Sequence, residues 1–128
     1  MKLLLSVYAI VTAIFGILAF VVPATVISWY SPLPADAVAE TGFRLGGSLG
    51  IGLAILGWYA RNSDSAARSA IVLAITLTNA LGCIAAFIAA TSGAFNGGAW
   101  FEVVSYALWT VAFMLVARVR SPNTSRSE

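Results

Sequence analysis

The sequence predicts an all-α integral membrane protein, a four-transmembrane-helix bundle with antiparallel up-down topology. Three observations carry this. First, four apolar stretches at about 3–22, 43–60, 69–90 and 99–117 are each about 18–22 residues long. A helix rising ~1.5 Å per residue needs that length to cross a hydrocarbon core of ~30 Å. Second, 60% of the residues are hydrophobic and 9% charged, with a mean hydropathy of +0.93; soluble domains have roughly 45–50% and 25%. Third, the basic residues gather on one side if all four stretches span. Lys2, Arg61, Arg68, Arg118, Arg120 and Arg126 then share a face, and only Arg44 lies opposite, with Asp36, Glu40 and Glu102. The positive-inside rule places that face, and both termini, in the cytoplasm.

The chain reads as a single transmembrane domain over residues 1–120 with a polar cytoplasmic tail at 121–128. The first stretch follows Lys2 as a secretory signal would, but its length exceeds the usual 7–15-residue signal core, and it is taken as a span. It stops at Pro23, which has no N–H for the helix ladder. Residues 24–42 form the longest connector, stiffened by Pro32 and Pro34, with Trp29 and Tyr30 placed as an interfacial aromatic belt. Within it, residues 35–41 are expected to start a helix that runs into the second span. There Glu40 and Arg44 stand in the favourable i,i+4 order for an ion pair. Loop 61–68 is short and polar, and Ser63, Asp64 or Ser65 caps the third span. Loop 91–98 is glycine-rich and uncharged, with Trp100 beyond it. These two short loops make spans 2–3 and 3–4 antiparallel neighbours. No internal repeat is visible, so a transporter-type inverted repeat has no support.

Composition also excludes chemistry. The chain has no histidine and one cysteine, Cys83, so a zinc, haem or iron–sulfur site built from Cys and His is ruled out, as is an intrachain disulfide. No basic run with interleaved aromatics is present, which argues against nucleic acid as a partner. No phosphate loop, catalytic triad or paired buried carboxylates occur, and the expectation is a protein that is not an enzyme. The first span holds no acidic residue, which counts against proton-coupled export of the small multidrug type.

Four constellations remain. Gly47, Gly50, Ala54 and Gly57, with Gly46 and Gly50 as a GxxxG, give the second span a small-residue face. Such a face lets another backbone approach closely in lipid. Ala9, Thr12, Ala13 and Gly16 of the first span match it, so it either packs inside the chain or docks another subunit. Asp36, Glu40, Arg44 and Glu102 form a candidate outer-leaflet polar site. Arg44 and Glu102 lie at similar depth, and Glu102 is expected in the first turn of its helix, where it favours the dipole. Thr76 and Asn79 lie on a polar stripe of the third span, and Asn79, near the bilayer centre, is expected to bond across to another helix. Glu102, Tyr106, Trp109 and Phe113 make an aromatic face on the fourth span, suited to packing or to a flat apolar ligand.

The run RLGGSLGIGLAILGWYARNSDSAARSAIVLA from Arg44, with GAFNGGAW ending at Trp100, resembles small bacterial four-helix membrane proteins of the DoxX-like group. The resemblance rests on Arg44, the glycine-rich helix, Trp58 with Ala60 and Arg61, and Gly93, Asn96 and Trp100. It implies a four-helix bundle in the bacterial inner membrane and supplies no catalytic residues. Some of that group accompany quinone-dependent redox complexes.

The leading expectation is therefore a non-enzymatic accessory or structural subunit, docking to a larger membrane complex or to its own copies through glycine-rich faces. The alternative is a lipid-, quinone- or small-molecule-binding protein or oligomeric transporter with an outer-leaflet polar site. No cofactor is evident from motifs, and a bound lipid, quinone or pigment is compatible with either reading. The bilayer is the one partner the composition demands.

Overall fold

A computed structural model describes residues 1–93 and 95–119 and, among them, contains five α-helices and no strand. They are α1 (Lys2–Val21), α2 (Pro23–Tyr30), α3 (Ala37–Ala60), α4 (Ser65–Thr91) and α5 (Gly98–Val119). The tail expected at 121–128, with Arg120 and Arg126, lies outside the described residues. Three helices, α1, α4 and α5, are long and apolar enough to cross a membrane. The second expected span, α3, is 24 residues long, but Glu40, Arg44 and its glycines lower its hydropathy.

The connector expected at 24–42 is in fact largely helical. Pro23 ends α1 and at the same time occupies the first turn of α2, where its missing N–H costs nothing and its fixed φ favours a helix. Val26, Ile27 and Tyr30 point inward and are buried, so α2 folds back against the bundle. Asp36 then caps α3, its Oδ1 accepting from the Ala39 N–H at 2.7 Å, and Asp64 caps α4 in the same way from Ala67 at 2.8 Å. The Glu40–Arg44 pair forms at 3.0 Å.

The long helices associate as two antiparallel pairs, α1 with α3 and α4 with α5. Small residues set the first pair. A Cβ on Gly47 would lie 2.6 Å from the Gly16 carbonyl oxygen and 2.7 Å from the Phe20 nitrogen, and one on Gly16 would lie 2.9 Å from the Ile51 nitrogen. Backbones this close gain dispersion contacts that lipid cannot supply. In the second pair the Tyr106 ring lies on Gly82, and the Cys83 thiol meets the Val103 carbonyl at 3.6 Å.

The two pairs converge at the end that carries the α3–α4 turn. Leu5, Tyr8, Ala60, Val72, Ile75 and Phe113, from all four long helices, form the buried core there. Arg68 ties that turn together, its Nε donating to the Ala60 carbonyl at 3.1 Å and its Nη2 to the Ser63 carbonyl. Arg61 stacks its guanidinium 3.4 Å from the Trp58 ring centroid and reaches Ser6 through Nη1 at 3.4 Å. At the opposite end α2 packs against α3, α1 and α5.

Candidate functional site

Side chains rather than close backbones join the two pairs, and they form a partly polar file through the interior. Tyr8 of α1 packs edge-on against Trp109 and Phe113 of α5, with centroids 5.1 and 5.2 Å away. Asn79 of α4 is buried and donates through Nδ2 to the Tyr8 hydroxyl at 3.3 Å and to its own Ile75 carbonyl at 2.7 Å. Asn79 therefore bonds from α4 to α1. Thr76 does not join it, because its hydroxyl donates back to Val72 on its own helix. A double-mutant cycle on Tyr8→Phe and Asn79→Leu is expected to show a coupling of about 0.5–1 kcal/mol, the usual range for one interhelical bond. Strict additivity in detergent unfolding would contradict the bond.

Nearer the α2 end, Tyr106 lies within electrostatic reach of both Tyr8 and Glu102. The Tyr30 hydroxyl donates to Glu102 Oε1 at 2.5 Å, joining α2 to α5 across 72 residues of chain. Two backbone features hold this corner. The Asn96 N–H donates to the Tyr30 carbonyl at 2.7 Å, and the Asn96 side chain accepts from the Gly98 N–H at 2.8 Å. Gly98 itself sits so close to the Trp29 carbonyl that a side chain there would collide with it.

This geometry revises the outer-leaflet polar site expected from sequence. Arg44 pairs with Glu40 on its own helix, Asp36 is used as the α3 cap, and Glu102 takes Tyr30. The four residues therefore do not act as one cluster. Glu102 is also the fifth residue of α5, just past the first turn, so dipole matching is not its principal role. The reason is local: Arg44 finds its acid one turn away, whereas α2 delivers a phenol to Glu102. Tyr30, expected in an interfacial belt, is only 7% exposed, and Trp29 beside it is 45% exposed.

Burial raises the pKa of Tyr30 above the ordinary phenol value of 10.0, and the Glu102 carboxylate pushes it further the same way. The folded state thus holds this proton more tightly than the unfolded state does. Its contribution to stability is complete below pH ~10 and falls as the pH rises above it. Alkaline unfolding in detergent is expected to be steeper above that pH for the native chain than for Tyr30→Phe; parallel curves would contradict this.

Beside the Tyr30–Glu102 bond, a cleft of about 320 Å³ opens at the α2 end, lined by Phe15, Trp29, Tyr30, Gly98 and Phe101. Phe15 and Phe101 pack against one another in its wall, with ring centroids 6.2 Å apart. The sequence held signs of both halves, the acid and the aromatic pairs, but not that α2 would bring them together.

Of the two readings of the glycine-rich face, packing inside the chain is the one the geometry shows. Gly47, Gly50 and Gly57 have their open sides against α1, at Gly16 and the Tyr8 ring, and Ala54 is buried. They are consumed within the chain and are not a docking surface. Gly46 alone of that group faces open space.

Fold and site together define an all-helical bundle with three helices of membrane-crossing length and composition, joined through a buried Tyr–Asn contact and a Tyr–Glu bond. The chain belongs to the family described as Domain of unknown function (DUF8292), whose model matches residues 1–117. No curated protein and no solved structure matches it.

Proposed function

We propose that this is a non-enzymatic, four-span membrane protein that holds an amphipathic small molecule, of the lipid or quinone type, in the cleft at the α2 end. The observation that carries this is the lining of the cleft. The cleft is an open groove of about 320 Å³, and a groove of about 330 Å³ lies between α4 and α5 at Ala80, Cys83 and Ala107, so its lining and not its size sets it apart. Its walls are aromatic, and one polar pair stands at its edge, the composition expected of a site that orients an apolar ligand by a single polar end. Mass spectrometry of the protein extracted in mild detergent tests it: a defined non-protein mass should be retained by the native chain and lost from Trp29→Ala. A chain that carries no such mass under any gentle extraction would sink the reading.

The α1–α3 pairing supports a fourth span. Gly47 to Gly57 run alongside Gly16 to Tyr8, so if α1 crosses the bilayer, α3 crosses beside it. Lys2, Arg61 and Arg68 lie at the α3–α4 end with Asp64, and Asp36, Glu40 and Glu102 lie at the α2 end with Arg44. The charge bias supports a reading with the first end on the cytoplasmic side of a bacterial inner membrane and the cleft in the outer leaflet. With Cys83→Ala removing the native thiol, a cysteine placed at Ser92 should label from the periplasm and one at Ser63 should not.

Docking to a larger complex through the glycine face is not carried forward, because α1 already covers that face. Kinship with the DoxX-like group is a proposal that rests on Arg44, Trp58, Gly93, Asn96 and Trp100 alone.

A further inference from the structure

We infer that the molecule held in the cleft carries an organic cation, an alkylammonium-type headgroup on an apolar body. This rests on the ligand-binding reading above and narrows it. Three observations lead to it. The walls are four aromatic side chains, Phe15, Trp29, Tyr30 and Phe101, and aromatic faces attract cations through their ring quadrupoles, most strongly where water is excluded. Phe15, Trp29 and Phe101 are 37%, 45% and 56% exposed, so a ligand can reach these side chains from outside the bundle, although Phe15 and Phe101 also touch one another.

The second observation is the carboxylate bonded to one of the lining residues, Tyr30, although Glu102 is not itself part of the lining. Glu102 accepts from Tyr30 through Oε1, and no ion pair to it exists among the described residues. The third is the state of the nearest candidate counter-charge. Arg44, the only basic residue at this end among the described residues, is held by Glu40 at 3.0 Å. The helix end at Gly98 is also engaged, its N–H donating to Asn96. An anionic headgroup would meet a carboxylate and the negative faces of the rings. A neutral one would draw nothing from the acidic side chain or from the ring faces. A cation satisfies both.

The test uses the full chain in a nonionic maltoside detergent, so that no lipid headgroup competes. The probe is radiolabelled decyltrimethylammonium, and the competitors are its uncharged carbon isostere, 2,2-dimethyldodecane, and decyl sulfate. The expected result is saturable binding of the ammonium, with both competitors weaker by about tenfold or more. Glu102→Gln, which keeps an acceptor oxygen for Tyr30 and so preserves the fold, should weaken ammonium binding by about tenfold. Phe101→Leu should weaken it by less.

If the isostere competes as well as the ammonium, and Glu102→Gln changes nothing while Trp29→Ala releases every probe, the cleft binds ligands but the cation inference is wrong. If no probe binds saturably, both the inference and the ligand-binding reading fail. Saturable binding that neither Glu102→Gln nor Trp29→Ala weakens lies elsewhere and overturns the inference as well.

Discussion

Gly47→Ala is expected to destabilise the protein by about 1–3 kcal/mol, the usual range for overpacking a tight contact, while Gly46→Ala, one residue away, is expected to be neutral or mildly stabilising. The contrast comes from what each new methyl group would meet. At Gly47 it meets backbone on three sides, with Gly16 O at 2.6 Å, Phe20 N at 2.7 Å and Ala19 C at 3.1 Å. None of these atoms can swing aside as a side chain can, so α1 and α3 must separate along their shared face. At Gly46 the methyl group meets nothing within 4 Å, and alanine's better helix propensity of up to ~1 kcal/mol acts unopposed. Unfolding in mixed micelles with rising SDS measures both. Equal effects at the two positions would mean that α1 does not cover this face, and would return the glycine stripe to the pool of docking surfaces.

Glu102→Ala is expected to cost about 1–3 kcal/mol, the penalty for leaving a buried donor without its acceptor, and to abolish retention of the bound molecule. Tyr30 is 7% exposed, so its hydroxyl has little water to turn to once the carboxylate is gone. The bond also fastens α2 to α5, and its loss frees the corner that Tyr30, Asn96 and Gly98 hold together. Glu102→Gln separates the two effects, because it restores an acceptor oxygen without the charge. Stability should return most of the way, and a cationic ligand should stay weakened. Thermal unfolding in detergent reads the first effect, and the retained mass reads the second. If Glu102→Ala unfolds at the native temperature, the Tyr30–Glu102 bond is not a structural tie.

How much of this could be read from the sequence depended on the range of the interaction. Length and composition exposed the long helices, and local spacing exposed the Glu40–Arg44 pair and the cap that Asp64 provides, since each involves residues within a turn of one another. Asn79 announced an interhelical bond because an amide in the middle of an apolar helix has few other outlets. Helix α2 was hidden because Pro23 is ambiguous: it stops one helix and, at the first position of the next, starts another. With α2 unseen, Tyr30 belonged to a loop, and Arg44 became the natural partner for Glu102. The correct partner lies 72 residues from it, beyond the reach of any local pattern. The glycine stripe showed that something approached closely, but spacing alone does not say whether the approaching backbone is α1 or another protein.

The central claim, that the aromatic cleft at the α2 end holds a specific small molecule, is tested most directly by covalent capture in the native membrane. A photoactivatable residue in place of Phe101 faces the cleft, and one in place of Leu81, 67% exposed on α4, does not line it. On illumination the position-101 protein should acquire one defined small-molecule adduct that is absent at position 81 and lost when Glu102→Ala is added. If both positions capture the same mixture of bulk lipids, the cleft is an ordinary lipid-facing surface and the account is wrong.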